Sequence, residues 1–145
     1  MIDIYLKKNM ALFNFKKMEK AYNNIIGSKE WNKACKFYKS SKIILFYGHG
    51  GNLGIADHAA IDVTRITKNE KIGISLGSSI QTTSLANDNG YDKVFSAWLA
   101  FTIKSINYNK DDICCLGITS TGKSENFKNA LNYIKDNNLK SIYFF

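Results

Sequence analysis

The sequence predicts an α/β protein, an open, doubly wound parallel sheet with helices on both faces in three layers, preceded by a helical arm. Three observations lead there. Ile43 to Tyr47 and Ile113 to Ile118 are continuous apolar runs that end in glycine- or hydroxyl-rich turns, the pattern of strands buried on both faces. Segments with helical spacing alternate with such runs, as in βαβ units. The 145 residues, 45% hydrophobic and 22% charged, are enough for one core and too few for two ordinary domains.

The elements follow in order. Leu6, Met10 and Phe13, then Phe15, Met18, Tyr22, Ile25 and Ile26, recur at helical spacing up to Gly27-Ser28. After that cap-like serine a second helix carries Trp31, Cys35 and Phe37-Tyr38. Residues 1–40 therefore read as an arm packing on the domain or on a partner subunit, and 41–145 as the sheet domain. The strand from Ile43 ends in Gly48-His49-Gly50-Gly51-Asn52, a helix spans Ile55 to Ile66, and Lys71 to Leu76 gives a short second strand. Ser79 to Leu85 is helical or irregular, Asn87 to Tyr91 a loop, and Val94 to Ile106 a helix. The strand Ile113–Ile118 turns through Thr119-Ser120-Thr121-Gly122-Lys123-Ser124 into a helix from Glu125 to Lys135, and Ser141 begins a fourth strand. A sheet ending on that strand lacks a covering crossover helix, so either a partner covers the face or the chain is incomplete.

Composition narrows the function classes. No apolar run approaches the ~20 residues that span a bilayer, and Met1-Ile2-Asp3-Ile4 lacks the charged-then-apolar order of a signal peptide. The expectation is a cytoplasmic protein without a membrane partner. Net charge is +8, which raises the question of nucleic acid. The cations are dispersed lysines, however, and Arg65 is the sole arginine, so no nucleic-acid partner is expected. Cys35 stands alone and Cys114-Cys115 are adjacent on a strand, pointing to opposite faces, which fits reduced thiols rather than a metal knuckle.

Two loops carry chemistry. The loop 119–124 puts hydroxyls, a glycine and the N–H groups of a helix start together, an anion site. A phosphorylated small molecule is the favoured occupant, with two readings left open beside it. Gly117 with Gly122-Lys123-Ser124 formally matches a nucleoside triphosphate loop, and a plain capped turn needs no ligand at all. The second loop, 48–52, leads into a helix where His58 and Asp62 are four apart on one face. That pair can ligate a metal, act as a base with its orienting partner, or be an ordinary surface pair.

In this order, Gly48-His49-Gly50-Gly51-Asn52, Ala56-Asp57-His58-Ala59-Ala60-Ile61-Asp62, Ala86-Asn87-Asp88-Asn89-Gly90-Tyr91 and Gly117 to Asn126 resemble the sugar isomerase (SIS) domain family, and within it the phosphoheptose isomerases. The resemblance covers about Lys42 to Phe145 and implies a flavodoxin-like SIS fold. It implies that Thr119, Ser120, Thr121, Gly122 and Ser124 hold a sugar phosphate, that Gly50, Gly51 and Asn52 line the substrate, and that Asn87 and Asp88 lie near it. Asn52 stands where the family usually has serine, and His49 where it has asparagine. His58 matches a zinc ligand. Asp62 matches the catalytic glutamate that moves a proton between C1 and C2 and also touches the metal, one methylene shorter in reach.

The implied activity is aldose–ketose isomerisation of sedoheptulose 7-phosphate to D-glycero-D-manno-heptose 7-phosphate through an enediol. The alternative is a non-catalytic SIS domain that binds a sugar phosphate or a protein partner. Family members continue through a further strand and helices supplying a glutamine and a metal-ligating histidine. The resemblance therefore reads as truncated at the C-terminus, with an incomplete zinc set and weak activity unless another chain supplies the missing groups. It also implies a homo-oligomer, dimer or tetramer, with active sites between subunits.

Overall fold

The computed structural model describes residues 14–77 and 79–144, so Leu6, Met10 and Phe13 lie outside the described residues. The chain divides into two compact units, 1–35 and 36–145. In the first, α1 (Phe15–Ile25) is capped by Asn14, whose side chain accepts from the Lys17 N–H at 3.0 Å. Its Phe15, Met18, Tyr22 and Ile25 share one face and are exposed. Helix α2 (Lys29–Ser40) starts behind Ser28, whose Oγ accepts from the Trp31 N–H at 3.1 Å. The serine thus acts as the cap that the sequence indicated.

The second unit continues from α2 through β1 (Ile43–Gly48), α3 (Gly51–Ile66), β2 (Ile72–Ser75), α4 (Ser79–Asn89) and a 3₁₀ turn, Tyr91–Lys93. It then runs through α5 (Val94–Ser105), a second 3₁₀ turn (Lys110–Asp112), β3 (Ile113–Ile118), α6 (Glu125–Asp136) and β4 (Lys140–Phe144). The strands are all parallel in the order β2-β1-β3-β4. Leu45 pairs with both Ile74 and Cys115, which fixes the register at the centre.

All six residues of β1 are buried, as its unbroken apolar run requires of a central strand. Side chains alternate between the two faces. Ile43, Leu45 and Tyr47 join Ile113 and Cys115 in a core with Phe95, Trp98 and Leu99 of α5 and Phe127, Ala130 and Ile134 of α6. Ile44, Phe46, Cys114 and Leu116 point the other way, where α3 buries only Ala56 and Ala60. Alanines there let α3 lie close to the sheet.

Two boundaries differ from the sequence reading by four residues, the others by no more than one. Helix α3 begins at Gly51, not Ile55, so the last two residues of the glycine loop are helical. Asn87, Asp88 and Asn89 form the last turn of α4 rather than a loop, and Gly90 ends it at φ +87°, a left-handed conformation open to glycine. Polar residues in a final turn are exposed on any helix, so their composition alone does not distinguish turn from loop.

Candidate functional site

Helix α3 leaves β1 toward β2 on one side, while β3 lies on the other side of β1. The chain direction therefore reverses between β1 and β3, and at such a switch point the loops after the two strands part and leave a crevice. The two loops that bear chemistry are these. Asn52 joins them, its Nδ2 donating to Ser120 Oγ at 3.1 Å.

The hydroxyl loop is partly organised by its own side chains. Thr119 is buried, and its Oγ1 accepts from the Gly122 N–H at 3.1 Å, while Thr121 Oγ1 accepts from the Lys123 N–H at 3.3 Å. Gly122 sits at φ +64°. Ser124 is the N-cap residue of α6, yet its side chain makes no capping bond and its buried Oγ has no partner among the described residues. The start of α6 therefore has no side-chain cap, and a helix start of this kind is a setting that favours negative charge. Ser120 and Thr121 are exposed at the loop surface.

The structure removes the formal triphosphate-loop match. Gly117 is inside β3, paired with Tyr47, and a Cβ there would meet Phe127 Cζ at 2.7 Å and Tyr47 Cζ at 2.9 Å. Glycine is needed at 117 for packing, not to wrap a phosphate.

The glycine loop turns at Gly50, whose φ of +51° and ψ of −122° suit glycine alone. Beneath it lies a cavity of about 110 Å³ lined by His49, Thr82, Tyr91, Phe95 and Asn126 among others. The His49 ring packs on Phe95 at 4.6 Å between centroids and faces Tyr91 at 6.5 Å. Burial pulls the His49 pKa below its ordinary 6.5, opposed by the Asn126 side chain. Sequence reasoning missed Thr82 and Asn126. Asn126 had a signal, since it stands in line with Ala130 and Ile134 on the buried face of α6.

His58 and Asp62 do share a face of α3, with Nε2 3.2 Å from Oδ2. Arg65 Nη2 holds the other carboxylate oxygen at 2.9 Å. Asp62 is ten residues beyond Asn52, about 15 Å along the helix at 1.5 Å per residue, so one chain does not bring it to the hydroxyl loop. The pair instead borders a separate open groove of about 600 Å³ with Tyr38, Ile55 and Ile66. Asn87 and Asp88 bond to each other at 2.9 Å and do not line the cavity under the glycine loop.

Zinc does not fit these residues alone. Two donors fall short of the three protein ligands a catalytic zinc takes, and no group of three or more His, Cys, Asp or Glu fit to hold a metal occurs among the described residues.

No protein-family model matches the chain. It is 35% identical over 103 residues to the phosphoheptose isomerase of Helicobacter pylori strain P12, covering 68% of this chain and 50% of that protein. It is 32% identical over 114 residues to the phosphoheptose isomerase of Aliarcobacter butzleri, covering 75% and 57%. The chain thus spans about half the length of the curated relatives it matches. Among solved structures it superposes on phosphoheptose isomerase from Neisseria gonorrhoeae with a TM-score of 0.70 at 22% identity, covering 95% of this chain and 73% of that one. The corresponding enzyme from Francisella tularensis gives 0.68 at 24%, covering 95% and 72%. At such identities the structural likeness establishes the α/β fold, and the sequence likeness points to the same group. The chain is thus similar in sequence to part of the phosphoheptose isomerases and shares the α/β fold of their solved structures.

Proposed function

We propose that the chain serves an aldose–ketose isomerase that interconverts sedoheptulose 7-phosphate and D-glycero-D-manno-heptose 7-phosphate. The observation that carries the proposal is the joining of the glycine loop to the hydroxyl loop through Asn52 and Ser120 at the switch point of the sheet. Likeness to phosphoheptose isomerases over 103 residues supports the same substrate class. Ser120, Thr121, Gly122 and Ser124 anchor the phosphate, with Gly50, Gly51 and Asn52 on the sugar side and Asn87 and Asp88 near it. Anchoring the remote phosphate supplies binding energy that holds C1 and C2 in place.

Asp62 is the base of this mechanism. Its carboxylate removes a proton from C1 of the ketose, the C–H pair forms the C1–C2 double bond, and the C2 carbonyl pair moves to O2, which takes up a proton to give the cis-enediol. The O1 hydroxyl then gives up its proton as the C1 carbonyl forms, the double-bond pair returns to C2, and the same carboxyl delivers its proton there. His58 orients the carboxylate, and Arg65 must release one oxygen before it can accept the proton. A second copy of the chain has to bring Asp62 to the loops, since about 15 Å of helix separates them here. That makes the working enzyme a homo-oligomer. Three free cysteines and a phosphorylated substrate fit the cytoplasm. No helix among the described residues is long and apolar enough to cross a membrane. Zinc at His58 and Asp62 would need further ligands from elsewhere, so no step is assigned to it.

The test is turnover of sedoheptulose 7-phosphate. Asp62→Asn should lower kcat by roughly 10²-fold or more, the usual contribution of a general base. Unchanged turnover in this variant rejects the assignment. A second reading, a binding domain without catalysis, is favoured by the engagement of both Asp62 oxygens. It predicts ligand-induced thermal stabilisation with no turnover in the parent chain.

A further inference from the structure

We propose that Lys71 is a positioning residue, tying the C-terminal ends of α2 and α3 together and so setting the width of the groove in which Asp62 works. The proposal deepens the isomerase reading and rests on it. Residues 37–41 close α2 and lead into β1 without a glycine cap, yet each of their carbonyls has a partner. Phe37 O accepts from Ser41 Oγ at 2.8 Å, and Tyr38 O accepts from the Ser41 N–H at 3.4 Å. Lys71 Nζ donates to Lys39 O at 3.1 Å and to Ser41 O at 2.5 Å, while Lys140 Nζ donates to Ser40 O at 3.3 Å. Two ammonium groups at a helix C-terminus answer both its orphan carbonyls and the negative end of its dipole.

The two lysines differ in what else they hold. Lys71 Nζ also lies 5.2 Å from the centre of the Tyr38 ring, a cation–π contact that restrains that ring. Its backbone N–H donates to Thr67 Oγ1 at 3.1 Å, and Thr67 Oγ1 in turn donates to Val63 O at 2.7 Å, at the end of α3. One residue therefore grips α2 by its side chain and α3 through its backbone. These two helices wall the groove of about 600 Å³, α2 contributing Tyr38 and α3 contributing His58, Asp62 and Val63. A shift of Tyr38 changes the room beside the carboxylate, and proton transfer depends on contacts of about 2.6–3.2 Å. The hydrogen-bond partners of Lys140 are Ser40, Ser41 and Asp111, so it steadies the same helix end without touching the groove.

His49 and His58 are the only histidines, so the His58 imidazole is assignable by NMR and reports on the groove without any need for turnover. Lys71→Met keeps the backbone N–H and nearly the length of the side chain but removes the charge. Lys71→Arg keeps the charge, and Lys140→Met is the control at the same helix end. In Lys71→Met the His58 Cε1–H signal should move while that of His49 stays, and kcat for sedoheptulose 7-phosphate should fall about tenfold. KM should change by less than about twofold, because the phosphate anchor is untouched. Lys71→Arg should restore both readouts. Lys140→Met should leave both at the parent values, although it lowers the melting temperature. An unmoved His58 signal or an unchanged kcat in Lys71→Met, or the same fall in kcat in Lys140→Met, overturns the tie. Turnover unchanged in Asp62→Asn, or absent from the parent chain, overturns the isomerase reading instead, and the His58 signal then decides the tie alone.

Discussion

At the residue scale, His49 and Gly117 show how one atom or one proton acts on the fold. With the His49 pKa held below 6.5 by burial, the unfolded chain binds more protons than the folded one between the lowered value and 6.5. Stability therefore rises with pH through that window, is fully present above it, and is lost as pH falls through the folded pKa. Urea midpoints between pH 5 and 7.5 should show this dependence reduced in His49→Asn. Gly117→Ala places a methyl group against the rings of Phe127 and Tyr47. Overpacking of this kind costs about 1–3 kcal/mol, to be read as a lower urea midpoint at unchanged slope.

At the element scale, the strands were legible and the helix ends were not. Ile43 to Gly48 and Ile113 to Ile118 are apolar without interruption because they lie inside the sheet with helices on both faces, a constraint that writes itself into every residue. Helix α3 begins at Gly51, four residues before Ile55, because Gly51 and Asn52 need no buried face to be helical. The site was legible as chemistry and not as geometry. Hydroxyls and glycines suggest an anion loop, but nothing in the spacing of His58 and Asp62 shows that about 15 Å of helix separates Asp62 from it. Thr82 and Asn126 stayed hidden because their role depends on a cavity formed between α4, α6 and the glycine loop. Strand β3 yields a chemical prediction as well. Burial pushes the Cys114 thiol up to about 12 and Cys115 still higher, whereas Cys35 is partly exposed. A thiol reagent at pH 8 should label Cys35 quickly in the native protein and the other two only after denaturation.

At the scale of the whole molecule, one face of the chain holds the anchoring loops and another the proposed base. Exposed Ile55, Ile61 and Ile66 accompany His58 and Asp62 on α3, an apolar setting that suits a second copy better than water. Complementation tests the arrangement. Mixing Ser120→Ala with Asp62→Asn chains under subunit exchange should restore activity absent from either alone, because some mixed sites receive an intact loop and an intact carboxylate. Activity equal to the sum of the separate variants would place both groups in one chain. The proposed anchor is built from hydroxyls and backbone N–H groups, with Lys123 as the one cation within the loop 119–124.

The depth of β1 has a consequence in time. The strand is hydrogen-bonded on both edges and buried throughout, so its amides should be among the last in the domain to exchange with deuterium. His49 and Gly50 follow its final residue at once and lie outside the ladder. The loop therefore has a slowly exchanging root and a tip free of the ladder, so the tip can move without opening a bond of the strand below it.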